Sequence, residues 1–297
     1  MRSQNSPDRL PTSPSSPFRK ALMSAPALTL NDGRTIPQLG MGTWPMTDAE
    51  VAPVIVTAVE LGYRHIDTAV KYGNEAGVGE GIRNSGLARE ELFVTTKLDG
   101  VYQGDDKAIA GLDASLGRLG LDYVDLLLIH WPVPSRDLFV STWRTFEKLL
   151  AQGKTRSIGV SNFKPAHLER LRAETDVVPA VNQIQISPYI PRAEQRAYDT
   201  EHGILTTSWS PLGQGNALLG EPVITGLAEK HGKTPGQVVL RWHVELGLVA
   251  IPKSASATRL RENLDIFDFS LDADDLAAIA SLDQGPGVGV DSDVDGH

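Results

Sequence analysis

Apolar residues fall along this chain in two alternating rhythms. Short runs of strand length recur at Gln38–Thr43, His65–Ala69, Leu92–Leu98, Val124–His130, Ser157–Ser161, Ala180–Ile186, Ile204–Trp209 and Leu248–Pro252. Between them the spacing changes to the three-and-four step of a helix face. Val51, Val54, Ile55, Ala58 and Val59 share one such face, Ile109, Leu112, Leu116 and Leu119 a second, and Phe139, Trp143, Phe146 and Leu150 a third. A further helix is predicted to start at Thr234-Pro235, a capping residue followed by proline at the first helical position. Its buried stripe is Val238, Val239, Trp242 and Leu246. Ahead of all these, Leu28–Leu30 and Thr35-Ile36 flank Asn31-Asp32-Gly33, the pattern of a hairpin.

Runs such as Val124–Ile129 are apolar almost throughout, as a parallel strand buried on both faces requires. Eight strands alternate with helices, and no linker interrupts residues 28–285. The pattern therefore predicts an α/β protein, a closed (β/α)8 TIM barrel with an N-terminal β-hairpin. The rival is an open doubly wound sheet. That arrangement calls for a Gly-rich loop after its first strand, and the Gly40-x-Gly42 pair here lacks the third glycine.

The first twenty residues are rich in Ser and Pro and nearly devoid of aliphatic side chains, so they cannot offset the entropy of ordering. Residues 1–24 are expected to be a disordered extension, and residues 25–297 a single barrel domain with a short C-terminal tail. Met23, just before the first structured pattern, suits a natural start. Deleting residues 1–22 is expected to change neither activity nor melting temperature beyond error. A large loss of either would reveal a docked N-terminal element.

Composition narrows the chemistry. The chain contains no cysteine, which removes disulfides, thiolate metal sites and thiol nucleophiles. Its His, Asp and Glu residues show no metal-ligand spacing such as HExxH, so no metal is expected. A net charge of −9 argues against a nucleic-acid partner, which needs a basic face, but leaves room for a small anionic cofactor. No run approaches the roughly 18 apolar residues of a membrane span. No membrane partner is expected, and a cytoplasmic monomer is the default.

In a parallel barrel, function collects where strands end. Asp67, Tyr72, Lys97 and His130 all fall there. Tyrosine alone, with a pKa near ~10, donates protons poorly at neutrality. A neighbouring ammonium lowers that value, a carboxylate keeps the ammonium charged and placed, and an imidazole beside the phenol orients a carbonyl oxygen. Each residue alone also suits a plainer role. Asp67 can cap a helix, Lys97 can be a solvated strand end, His130 a satisfied core histidine, and Tyr72 a packing residue under a turn. Their meeting at one barrel end favours chemistry. Farther along, Lys253-Ser254 and Arg259 ahead of a helix suit an anion site aided by that helix's free N–H groups, and taken alone they suit a solvated basic helix start at least as well.

The stretches Gly62-Tyr63-Arg64-His65-Ile66-Asp67-Thr68-Ala69, Tyr72-Gly73-Asn74-Glu75 and Val78-Gly79 resemble the aldo-keto reductase signature. So do Leu127-Leu128-Ile129-His130-Trp131-Pro132, Gly159-Val160-Ser161-Asn162-Phe163 and Ile251-Pro252-Lys253-Ser254. The likeness runs from about Leu28 to about Gly285, and the detailed pattern is similar to the bacterial branch that includes diketogluconate and methylglyoxal reductases. It implies NADPH-dependent reduction of small aldehydes and ketones, α-dicarbonyls or keto-sugars. It places the catalytic tetrad on Asp67, Tyr72, Lys97 and His130.

The resemblance also assigns cofactor residues. Ser161, Asn162 and Gln183 would hold the nicotinamide carboxamide, with the Trp209 ring stacked on the nicotinamide. Ser210, Leu212 and Gly213 would cover the pyrophosphate, and Gly42 and Thr43 would join Asp67 at the cofactor. Lys253, Ser254, Arg259, Glu262 and Asn263 would take the adenosine phosphate end. Trp44 and Trp131 would wall the substrate pocket beside Tyr72 and His130. The chain departs from the family after Leu282, where its tail is short, Gly-rich, acidic and without an aromatic residue, so incomplete closure of the pocket is expected. Two other functions stay open on sequence: an NADPH-binding redox-sensing or regulatory subunit with little turnover, and a lyase or isomerase with a Schiff base at Lys97.

Overall fold

The computed structural model describes residues 25–215 and 217–296. The expected disordered stretch, residues 1–24, lies outside the described residues. Strands β1 (Ala27–Thr29) and β2 (Thr35–Pro37) form the antiparallel hairpin. Eight parallel strands follow: β3 (Met41–Gly42), β4 (His65–Asp67), β5 (Phe93–Leu98), β6 (Val124–Ile129), β7 (Thr155–Ser161), β8 (Val181–Gln185), β9 (Leu205–Trp209) and β10 (Val249–Ile251). They pair in sequence order from β3 to β10. Every predicted barrel strand is present.

β3 is shorter than the predicted Gln38–Thr43, because its leading residues turn to the last strand and close the barrel. Ala250 N–H donates to the Gln38 carbonyl at 3.1 Å, Gly40 N–H to that of Ala250 at 2.9 Å, and Gly42 N–H to that of Pro252 at 3.0 Å. Glycine suits this seam: a Cβ on Gly40 would lie 2.7 Å from both the Ile251 Cδ1 and the His65 ring. The hairpin plugs the opposite end of the barrel. Leu30 and Ile36 are buried among Leu126, Leu128, Val181 and Val249, and Asp32 Oδ2 accepts the Ser157 hydroxyl at 2.6 Å.

Helices α1 (Asp48–Leu61), α2 (Glu75–Asn84), α3 (Asp105–Leu119), α4 (Phe139–Ala151), α5 (Pro165–Glu174), α6 (Ala193–Glu201), α7 (Pro222–His231), α8 (Pro235–Glu245), α9 (Ala257–Leu264) and α10 (Ala273–Ala280) surround the sheet. The predicted stripes face inward. Val51, Ile55, Ala58 and Val59 of α1 and Phe139, Trp143 and Phe146 of α4 are buried. Each buried valine, isoleucine or phenylalanine among them contributes roughly 1.5–3 kcal/mol. α8 starts as expected, with Thr234 and Gln237 forming a reciprocal cap, while Leu246 serves as its C-terminal cap. No helix among the described residues is long and apolar enough to cross a membrane.

α2 carries Gly77, Gly79 and Gly81, an unpromising composition for a helix. Packing explains it. A Cβ on Gly77 would lie 2.3 Å from the Asp48 carbonyl oxygen, one on Gly79 2.0 Å from that of Leu119, and one on Gly81 2.8 Å from that of Ala52. These glycines let α1 and α3 press against α2. Gly79→Ala should therefore destabilise the fold by about 1–3 kcal/mol. Gly117→Ala, where a Cβ meets nothing within 4 Å, should instead stabilise by up to ~1 kcal/mol. Thermal melts of both variants check the opposite signs.

Candidate active site

Parallel register brings the ends of β4, β5, β7, β8 and β9 to one face of the barrel, with His130 just beyond β6. Lys97 lies almost wholly inside, 1% exposed. Its Nζ donates to Asp67 Oδ1 at 2.5 Å, to the Thr68 carbonyl at 3.1 Å and to Tyr72 Oη at 3.3 Å. The other oxygen of Asp67 accepts the Gln183 amide at 2.8 Å. The four expected catalytic residues do meet, and Gln183 braces the carboxylate from behind.

Electrostatics correct one expectation. Lys97 and Asp67 were expected to depress the Tyr72 phenol, yet its pKa is raised above the ordinary value. Burial is the largest cause and Lys97 opposes it more weakly. The physical reason is that the ammonium is shared: its short contact is with Asp67, whose own charge also raises the phenol. Burial pushes the Lys97 ammonium down, but Asp67 and Tyr72 more than reverse this and leave it raised, hence charged. Burial, reinforced by Lys97 and then Lys71, holds the His130 imidazole well below its ordinary pKa, hence neutral. The His130 ring stands edge-on to Tyr72 with centroids 5.8 Å apart, and its buried Nδ1 has no hydrogen-bond partner among the described residues.

A cleft of about 870 Å³ opens above this group. Gly42, Thr43, Trp44, Asp67, Tyr72, His130, Trp131, Ser161, Asn162, Gln183, Trp209, Ser210, Leu212, Lys253 and Arg259 line it. A polar chain runs along one wall. Trp209 Nε1 donates to Asn162 Oδ1 at 2.9 Å, Asn162 Nδ2 to Ser161 Oγ at 3.0 Å and to the His130 carbonyl at 3.1 Å, and Ser161 Oγ to the Gln183 carbonyl at 2.7 Å. Asn162 and Ser210 adopt left-handed backbone, φ 63° and 52°. Such conformations persist where surroundings hold them, often at ligand sites.

Lys253 and Arg259 are exposed at the far end of the cleft, and among the described residues neither forms an ion pair. Gly213, Ser254, Glu262 and Asn263 do not line it. The buried Ser254 hydroxyl accepts the Ser256 N–H at 3.1 Å, Ser256 caps α9, and Asn263 bonds the buried Tyr63 hydroxyl. Among the described residues no group of three His, Asp or Glu side chains is arranged to hold a metal ion.

Sequence reasoning missed Lys71, Pro45, Gln214 and Gly296 in this lining. Lys71 adjoins Tyr72 and was findable from that position. Gly296 was not, because the tail was expected to leave the pocket open. The tail in fact crosses the barrel mouth. Val290 N–H donates to Gln185 Oε1 at 2.9 Å, Lys164 Nζ reaches Asp291 and Asp293 at 2.5 Å each, and His167 meets Asp293 at 3.0 Å. Gly296 then packs on Trp131 so closely that a Cβ would lie 2.1 Å from the indole.

The barrel, its closing seam and the Asp67–Lys97–Tyr72 contact belong with what comparison finds: the aldo/keto reductase family model matches residues 38–284. The chain belongs to the aldo/keto reductase family, and it is an oxidoreductase. It is 48% identical to methylglyoxal reductase DkgA of Escherichia coli strain K12, over 90% of this chain and 96% of that protein. Among solved structures, an aldo/keto reductase from Brucella melitensis is 50% identical with a TM-score of 0.85, covering 88% of this chain and 100% of that one. A variant of Gox0644 crystallised in complex with NADPH is 45% identical with a TM-score of 0.84, covering 88% of this chain and 94% of that one.

Proposed function

We propose that this enzyme reduces small aldehydes and ketones, α-dicarbonyls among them, with NADPH, and that Tyr72 supplies the proton. The carrying observation is the buried contact of Lys97 with both Asp67 and Tyr72. The cleft fits the cofactor's chemistry: two cations without an ion-pair partner among the described residues, Lys253 and Arg259, at one end suit a phosphate, and an indole with a linked amide at the other suits a nicotinamide. Ser161, Asn162 and Gln183 would meet the carboxamide, and Ser210 and Leu212 the pyrophosphate. When bound, NADPH supplies the hydride.

The chain's own residues do the rest. Tyr72, protonated at neutrality and held more firmly so by burial, donates its proton to the carbonyl oxygen as that oxygen gains negative charge. Lys97, fixed by Asp67, stabilises the phenolate left behind. His130, neutral, offers a hydrogen bond that orients the carbonyl, and Trp44 and Trp131 bound the space for the substrate body. Similarity to methylglyoxal reductases supports a small α-dicarbonyl as one substrate. We take the enzyme to act as a monomer and place it in the cytoplasm. A screen of NADPH oxidation over aldehydes, α-dicarbonyls, keto-sugars and keto-esters tests the reading. NADPH binding without turnover of any of them would overturn it in favour of a sensing role.

A further inference from the structure

A second cavity opens beside the catalytic cleft and shares Lys71 and Gly296 with it. It has a volume of about 330 Å³ and lies among the loops that follow β4, β5 and β6. Two cations line it, Lys71 and Arg136, against one carboxylate, Asp99. Asp99 is turned to its own loop, where Oδ1 accepts the Val101 N–H at 3.1 Å. Among the described residues neither cation forms an ion pair. In a chain of net charge −9, a surplus of positive charge at the mouth of the site runs against the overall balance.

Arg136 is also held in place. Its Nη1 donates to the Gly100 carbonyl at 2.5 Å, which ties the guanidinium to the opposite loop and leaves donors over for a ligand. The loop carrying it is strained on both sides: Val133 has φ 44° and Asp137 φ 51°, and the left-handed region is a true outlier for a β-branched residue. Backbone strain of this kind clusters where a side chain must be presented to a ligand. On the other side, Lys71 adds to the effects that keep His130 neutral, so its charge is felt at the reacting centre.

We propose that this cavity is a subsite for a carboxylate on the carbonyl substrate, gripped by Lys71 and Arg136 while the carbonyl lies between Tyr72 and His130. The proposal rests on the carbonyl-reduction reading. A planar guanidinium fork matches a carboxylate, a lysine adds a point charge, and one surplus positive charge matches a monoanion.

The test compares matched aldehydes with and without the charge, butanal against succinic semialdehyde and benzaldehyde against 4-carboxybenzaldehyde. Wild type should favour the carboxylate member of each pair in kcat/KM by about tenfold or more, one charge-assisted contact's worth. Raising the salt concentration should shrink that preference. Lys71→Met and Arg136→Met should each cut the ratio by about tenfold, and Arg136→Lys, which keeps the charge without the fork, should restore part of it. A ratio near one in wild type, or a ratio unmoved in both Met variants, overturns the subsite. Absence of turnover with all four aldehydes and across the wider carbonyl screen instead defeats the carbonyl-reduction reading. The subsite is then decided by titrating butyrate, which has no reducible carbonyl, against tryptophan fluorescence. Saturable quenching weakened in both Met variants supports it, and its absence in wild type overturns it.

Discussion

Tyr72→Phe should lower kcat/KM for carbonyl reduction by about 10²–10⁴-fold while NADPH binds almost as before, because only the proton donor is lost. The ring, its edge-on contact with His130 and its packing all survive the change. Steady-state kinetics paired with a fluorescence titration of NADPH separates the two effects. A variant that retains most of the wild-type kcat would remove Tyr72 from the donor role. The pH dependence carries the same signature. A phenol whose pKa is raised by burial stays protonated through neutrality, so reduction should hold a plateau there and fall only on the alkaline side. In Tyr72→Phe that alkaline decline should vanish from the residual rate.

Arg259→Ala should weaken NADPH binding by roughly ten- to a hundredfold and NADH binding much less, since charge-assisted contacts to phosphate contribute about 1.5–3 kcal/mol and NADH lacks the 2′-phosphate. Arg259 is well suited to show this. It is exposed at the cleft end and unpaired among the described residues, and its backbone N–H donates to the capping Ser256 Oγ at 3.4 Å. Titrating both cofactors against wild type and variant decides the matter. An equal loss for NADPH and NADH would mean that Arg259 serves the adenine or the fold, and selectivity would then rest on Lys253 alone.

The strands were legible because a parallel strand buried on both faces writes itself as a continuous apolar run, as at Val124–Ile129. Helices with a broad apolar face, α1 and α4, were equally plain. α2 was not, since its glycines answer to the backbones of neighbouring helices, a tertiary demand invisible in local propensity. α6 buries little besides Asp199 and so shows no stripe. The four proposed catalytic positions were readable because each lies at a strand end of the barrel or in the loop just past one. The net direction of the Tyr72 shift was not, because it turns on how deeply the phenol is buried, which outweighs the nearby Lys97 ammonium. Nor was the docking of the tail, whose aspartates look merely solvated until Lys164 is found opposite them.

The closing seam has a consequence for how the enzyme comes into being. Gln38 and Gly40 cannot meet Ala250 until almost the entire chain has left the ribosome. At about 5–20 residues per second, the sheet spends roughly ten to forty seconds growing with both flanks unpaired. Open strand flanks template pairing with other chains. Fragments that stop short of Val249 should accordingly accumulate in chaperone complexes or aggregates rather than as smaller soluble proteins, and the interval before β10 arrives is the stage at which newly made chains are most exposed to loss.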